Sequence, residues 1–332
     1  MNSFGRLFRL SLFGESHGPG LGVVVDGCPA GVPFNAEDLL PDLARRKPGA
    51  AGTTARREDD LPELVSGVHN GRTTGAPILI LFRNADTRPG DYDRFRETPR
   101  PGHADFVLDR KYGGFNDARG SGHASGRLTL GLVAAGTIAK RIIAPVAVRA
   151  RLDEAGGDSD IEAAVARTLA AGDSIGGIVS CRVEAVPVGL GEPFFDSVES
   201  LLAHLVLSIP AVKGIEFGVG FRAARMKGSE HNDPIVAADG TTGTNHAGGL
   251  NGGISNGNPI EFRVAVKPTS SIARPQTTFD FKTGRPETLS VDGRHDACVA
   301  LRMPVIVEAA AAVVLADVLL LEQRIPRILG RE

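Results

Sequence analysis

The chain predicts an α+β fold in one domain. Segments 177–186 and 260–267 alternate apolar with polar residues, setting Val179, Cys181, Val183 and Ala185 on one face and Ile260, Phe262, Val264 and Val266 on one face. Period two means one buried side, the habit of antiparallel sheets. Helical and extended segments do not alternate in the order that a doubly wound parallel sheet requires. Nothing across residues 1–332 reads as a linker, a fixed-period repeat or a low-complexity tract, so the chain is taken as a single interwoven domain.

In chain order, LGVVVD (21–26) is an apolar strand. NAEDLLPDLARR (35–46) offers Asn35 as helix N-cap, acids in the first turn and arginines in the last, the order a helix dipole favours, with Pro41 as an expected kink. PILILF (77–82) is a second strand, LGLVAAGTIAKRII (130–143) a helix, VAVRAR (146–151) a strand and DIEAAVARTLAA (160–171) a helix. After strand 177–186 come a helix over 196–209, strand 260–267 and a last helix over 305–323. The most apolar stretch, 305–321, falls short of the roughly 20 residues a membrane span needs and contains Glu308 and Asp317. It reads as a buried helix or a subunit contact, with no membrane partner.

Lys plus Arg number 37 against 39 Asp plus Glu, so no basic excess supports nucleic-acid binding. Cys28, Cys181 and Cys298 lie far apart, which fits neither a disulfide framework nor a CxxC metal knuckle. They read as reduced apolar residues. The segment MNSFGRLFRLSLFG places Arg6 and Arg9 inside its apolar stretch and lacks the features of a signal peptide, so the expected location is cytoplasmic. Glycine is over-represented, 42 residues, and gathers around polar side chains, which suggests shaped loops lining a site.

No GxxxxGK[ST] occurs, no GxGxxG stands between a strand and a helix, and no HExxH or close His/Cys pair offers a metal site. What remains is a series of loops pairing glycine with ionisable groups: GESHG (14–18), RRKPG (45–49), TTARRED (53–59), PRPGHAD (99–105), RGSGHASGRLT (119–129), NHAGGLNGGISNG (245–257), KPTSSIARP (267–275) and GRHDACV (293–299). Each has a plain reading. His17 alone fits a turn or core histidine, and His103 a rigid turn. Arg45/Arg46 and Arg56/Arg57 fit solvated surface, and GRHD a salt-bridged turn. The glycines of 245–257 imply a ligand or another backbone close by. Taken together, the loops point to an acid–base enzyme for a small substrate bearing carboxylates or phosphates, met by arginines, hydroxyls and backbone N–H groups.

Read in order, the blocks FGESHG, RRKPG, TTARRED, SGVHNGRTTGAPI, PRPGHAD, NHAGGLNGGISNG, KPTSSI and GRHDACVALRMPV resemble the chorismate synthase family across nearly the whole chain. The resemblance implies helices sandwiched between two antiparallel sheets, a homotetramer, and a lyase reaction. In that reaction 5-enolpyruvylshikimate-3-phosphate loses phosphate by 1,4-elimination to give chorismate, with reduced FMN required. It implies that His17 protonates the departing phosphate, that His103 protonates or stabilises the reduced flavin near N1, and that Asp296 helps remove a proton at flavin N5. It places substrate at Ser16, Arg46, Ser125, Arg127 and Arg294, and FMN at His123, Ala124, Ser125, Ala211, Gly252, Lys267, Pro268, Thr269, Ser270, Ser271 and Arg294. Arg46 also matches a position linked to NADPH as reductant, and no metal is implied.

Where the family typically reads GGRSSARET, this chain has His123 for Arg, Ala124 for Ser and Leu128 for Glu. His123 keeps a hydrogen-bonding ring but not a guanidinium fork. A paralogue that binds flavin or an anionic metabolite without catalysis, and a flavin-dependent lyase for a related phosphorylated cyclohexene, stand as alternatives at this point.

Overall fold

The computed structural model describes residues 2–54, 56, 58–86, 89–291 and 295–329. Its strands are β1 (Ser3–Phe4), β2 (Arg9–Gly14), β3 (Gly20–Asp26), β4 (Glu63–Leu64), β5 (Val68–His69), β6 (Arg72–Thr73), β7 (Ile78–Arg83), β8 (Ala147–Ala155), β9 (Gly177–Glu184), β10 (Val212–Phe217), β11 (Leu250–Asn251), β12 (Ile254–Ser255), β13 (Ile260–Val266), β14 (Gln276–Asp280) and β15 (Arg285–Leu289). The helices are α1 (Leu40–Arg46), α2 (Asp105–Tyr112), α3 (Thr129–Ile142), α4 (Ile161–Ala170), α5 (Val198–Ser208), α6 (Gly228–His231) and α7 (Met303–Leu321). One sheet runs β1-β2-β3-β7-β4 and the other β10-β13-β9-β8, and every neighbouring pair in both is antiparallel.

Helices fill the space between the sheets, as expected for the α+β sandwich. α3 lies on β3, α7 lies on β8 and β9, and the two helices cross each other. Small residues set these distances. A Cβ on Gly131 would come 2.9 Å from the Gly22 carbonyl oxygen, and one on Gly136 would come 2.3 Å from the Ala309 Cβ. The alternation read in β9 and β13 is the packing itself, since Val179, Cys181, Val183, Ile260, Phe262, Val264 and Val266 are all buried.

α7 is buried from Val305 through Leu320. The segment Val299–Leu321 has the length and composition to cross a membrane, yet 89% of its most apolar window is covered by the rest of the fold. A helix apolar on every side belongs in a core. Its two carboxylates are fully engaged. Asp317 accepts backbone N–H groups of Arg6, Leu7 and Phe8 at 2.7–3.0 Å, tying the start of the chain to its last helix. Glu308 accepts two hydrogen bonds from Arg45 at 2.7 Å each, one from Lys140 at 2.8 Å and the Ala150 N–H at 3.0 Å. Burial would raise the Glu308 carboxyl, but Arg45, Lys140 and the Ala150 N–H hold it below its ordinary value. All three cysteines are free and buried, and burial pushes the Cys28 thiol up to about 12.

Several boundaries differ from the sequence expectation. Asn35 caps as expected, in a reciprocal box with Asp38, but it opens a 3-10 turn, Ala36–Leu39, and α1 begins only at Leu40. Pro41 therefore sits in the first turn of α1, where no N–H is required, and does not kink a longer helix. β8 runs on to Ala155, and β9 stops at Glu184 because Ala185 turns to φ 58° and leaves the buried row. Strand β10 and the β14–β15 hairpin carry no clean alternation, so periodicity does not reveal them. Two glycines of 245–257 serve backbone packing: a Cβ on Gly248 would come 2.5 Å from the Gly218 nitrogen, and one on Gly249 2.4 Å from the Pro259 oxygen.

Because the Glu308 carboxyl titrates below 4.5 in the fold, the stability it brings is complete above pH 4.5 and is lost as pH falls through the folded-state value. Glu308→Gln is expected to cost about 2 kcal/mol at pH 7. In urea unfolding followed between pH 7 and pH 3, the gap between the parent protein and this variant narrows below pH 4.5; a constant gap would remove the carboxylate from the stability account.

Candidate active site

A cavity of about 730 Å³ opens where five loops and two helix ends meet. The turn between β2 and β3 brings Ser16 and His17, both buried. The irregular segment ahead of α3 brings Ser121, His123, Ala124, Ser125 and Arg127. The last residue of α1 is Arg46, the segment ahead of α2 carries Arg100 and His103, the turn after β13 carries Lys267 to Ser271, and the approach to α7 carries His295, Asp296 and Arg302. Leu10, Leu12, Leu132, Leu205, Val299 and Ile306 form an apolar side.

Cations exceed carboxylates around this space. Among the described residues, Arg46, Arg56, Arg100, Arg127, Lys267 and Arg302 line it against Glu58, Asp60 and Asp296. Arg127 donates to Asp60 at 2.9 Å and to Asn84 Oδ1 at 2.7 Å, and Asn84 in turn donates to the Glu15 and Gly18 carbonyls, fixing the turn that holds His17. Arg56 clasps the Ser16 hydroxyl and carbonyl at 3.0 and 2.9 Å and pairs with Glu58 at 2.7 Å. Arg46 is 3% exposed and donates to Thr129 Oγ1 at 3.0 Å. Burial and the neighbouring Arg302 and Arg127 charges, only partly offset by Asp60 and Asp296, bring it down to about 9, so it stays cationic at neutral pH. Such a surplus of buried positive charge suits a ligand with more than one negative charge.

The imidazoles lie among these groups. His17 meets the Tyr92 ring edge-on with centroids 4.9 Å apart. The glycine that lets His17 sit here is Gly120, whose added Cβ would lie 2.4 Å from His17 Nδ1. Gly14 answers a different demand, since a Cβ there would strike the Gly20 carbonyl at 2.3 Å; it is required by the β2–β3 pairing and not by a ligand. Burial lowers His103 from 6.5, with Arg100 and Lys267 adding to the effect and Asp105 opposing it. Burial, with Arg100 and His103 adding to it, lowers His295 to about 4, so it is uncharged at neutral pH. Asp296 accepts the Thr54 N–H at 3.0 Å and a hydrogen bond from Arg302.

Of the residues singled out in the sequence, Ser16, His17, Arg46, His103, His123, Ala124, Ser125, Arg127, Ala211, Lys267, Pro268, Thr269, Ser270, Ser271 and Asp296 all line this one cavity. Arg294 and Arg57 lie outside the described residues. Gly252 does not reach it. It sits at the β11–β12 turn near the start of β13, whereas Lys267 follows the end of β13, and a seven-residue strand of roughly 20 Å stands between. Arg45 turns away to Glu308, so the pair Arg45/Arg46 divides between an ion pair and the cavity. The surface expectation fails for Arg46 and Arg56, which are buried or nearly so.

Arg100, Arg302, His295, Tyr92 and Ser121 join the site without having been expected there. Arg100, Ser121, His295 and Arg302 had a usable signal, since each lies in a motif block that also carries an expected site residue. His123 Nδ1 donates to the Gly14 carbonyl at 2.8 Å, so it braces the β2–β3 turn in addition to lining the cavity.

The donor set fits a flavin phosphate beside a phosphorylated acid. Hydroxyls of Ser125, Ser270 and Ser271 and the cations suit phosphate and carboxylate oxygens, the leucine side suits an aromatic ring system, and the volume falls within the range of ligand pockets. Among the described residues, Thr269 Oγ1 and His295 Nε2 are buried with no hydrogen-bond partner, as polar atoms awaiting a ligand are.

Comparison with known proteins agrees with this geometry. The family model described as chorismate synthase matches residues 8–320. The chorismate synthase of Chitinophaga pinensis is 64% identical over 329 residues, covering 99% of both chains. That of Nitratidesulfovibrio vulgaris is 48% identical over 352 residues, covering 97% of this chain and 99% of its own. A solved chorismate synthase crystal structure superposes with a TM-score of 0.73 at 25% identity, covering 96% of this chain and 93% of that one. With a shared sandwich, a shared sequence along almost its whole length and a cavity assembled from the same motif blocks, this chain belongs to the chorismate synthase family.

Proposed function

We propose that this chain is a lyase of the shikimate pathway that converts 5-enolpyruvylshikimate-3-phosphate to chorismate and phosphate. The observation that carries the reading is the convergence of His17, His103 and Asp296, drawn from opposite ends of the chain, on one cation-rich cavity. The family uses a flavin, and the finer reading here is FMN in its reduced state, with NADPH a candidate reductant near Arg46. Reduced flavin supplies transient electron density that no side chain can.

The chain's own residues do the rest. Arg46, Arg127 and Arg56 offset the charge that builds on the departing phosphate. His17, held by the Ser16–Arg56 and Asn84 contacts, is placed to protonate it. Asp296, fixed by the Thr54 N–H and Arg302, is the carboxylate placed to accept a proton. His103, held at Nδ1 by the Asp105 and Arg100 contacts, is placed to protonate or stabilise the reduced flavin. Leu10, Leu12 and Leu132 keep one side of the cavity dry, which strengthens every charge interaction inside it. The non-catalytic paralogue finds no support in this arrangement, because His17, His103 and Asp296 line one cavity with Ser16, Arg46, Ser125 and Arg127.

A cytoplasmic location accords with the free cysteines. A homotetramer is proposed as the assembly. Phe194, Phe195 and Phe221, 85%, 90% and 86% exposed in the single chain, are apolar surface that such an assembly can cover. Light scattering is expected to give about four times the 34.7 kDa chain mass, and a monomer would overturn this reading.

Anaerobic incubation with photoreduced FMN and enolpyruvylshikimate phosphate is expected to release phosphate and chorismate together. Phosphate without chorismate would point to another lyase, and neither product to a binding protein. A parallel reaction with oxidised FMN and NADPH tests whether the chain reduces its own flavin. His17→Ala is expected to lower turnover by about 10²-fold or more, and an unchanged rate would take His17 out of the mechanism.

A further inference from the structure

Ser121 lies at φ 72° between Gly120 at 56° and Gly122 at 53°, three consecutive residues in left-handed backbone of which only the middle one carries a side chain. A non-glycine there is strained, and strain of this kind persists where the surroundings impose it, often at functional sites. The Ser121 hydroxyl offers the reason. Its Oγ lies 2.9 Å from His103 Nε2, and both residues line the large cavity.

The other ring nitrogen is held from one side. His103 Nδ1 meets the Asp105 N–H and Arg100 Nη2 at 3.2 Å each and lies 2.7 Å from Asp105 Oδ1. Arg100 is itself tied to Asp105 Oδ1 at 2.8 Å. With Nδ1 engaged by this pair, Nε2 is the ring nitrogen that meets the Ser121 hydroxyl at the cavity. Besides Arg100 and Asp105, the charged or titratable groups acting on this ring are Lys267 from the turn after β13 and His295 from the approach to α7.

We infer that Ser121 is the positioning residue for acid–base work by His103: its hydroxyl orients the ring through Nε2 and passes the proton between Nε2 and a group bound in the cavity. In each transfer the hydroxyl gives its proton to Nε2 as it takes one from the bound group, or the reverse, so the serine is regenerated and no charge is left on it. The inference rests on the role proposed above for His103.

Ser121→Gly tests it, because glycine accepts the backbone conformation without strain and removes only the hydroxyl. The variant is expected to melt no lower than the parent and to bind oxidised FMN within about 3-fold of the parent, while kcat falls roughly 10-fold or more at nearly constant KM. In the flavin-free protein labelled at histidine carbon, the His103 titration midpoint is expected to rise toward 6.5 as water reaches Nε2. Unchanged kcat together with an unchanged His103 midpoint would overturn the inference. A lower melting temperature with kcat and KM both disturbed would overturn it too, by making the serine merely structural. His103→Ala separates the two levels: if it is inactive while Ser121→Gly is normal, this inference alone fails, and if it turns over at the parental rate the reading beneath it fails as well.

Discussion

Covering α7 on all sides is the constraint on which the rest of the structure depends. A 19-residue helix with no polar face cannot lie at a surface, so the sheet carrying β8 and β9 and the helices α1, α3 and α5 enclose it. Its buried carboxylates are tolerable only because they are saturated with donors, and those donors organise the fold. Asp317 gathers the backbone of residues 6–8 and so joins β1 and β2 to the far end of the sequence. Glu308 draws in Arg45 and Lys140, which sets the end of α1. About 100° further round that helix, Arg46 is thereby turned into the cavity, whose floor is partly the first turn of α7 itself. The helix that stabilises the domain also places its site.

Within that frame the cavity is an electrostatic device more than a shape. Burying so many guanidinium groups is unfavourable without partners, and the carboxylates present satisfy only part of them. The remainder is available to an anionic substrate, whose phosphate and carboxylates complete the network. The same positive field, together with burial, keeps His103 and His295 uncharged, which suits exchange of single protons and not static ion pairing.

Glycines show how local chemistry and tertiary demand diverge. Gly14 and Gly120 look alike in a sequence, yet the first yields to a strand carbonyl and the second to an imidazole. In the glycine-rich run at 245–257, which called for a ligand or another backbone close by, Gly248 and Gly249 answer to backbone, at residues 218 and 259. No residue-level pattern distinguishes these uses, because what each glycine avoids is contributed by a distant segment.

By itself the sequence determined the long helices, the alternating strands β9 and β13, and the motif blocks that carry His17, His103, Arg46, Arg127 and Asp296, because periodicity, capping and loop chemistry are local properties. The tertiary structure decided which of neighbouring arginines faces a ligand, that Arg100, Arg302, His295 and Ser121 join the site, and that Gly252 does not. It also decided how the His103 ring is held, by Asp105 and Arg100 at one nitrogen and Ser121 at the other. The reason is physical: burial, charge excess and hydrogen-bond direction depend on atoms separated by tens to hundreds of positions along the chain, and they take values only once packing has brought those atoms together.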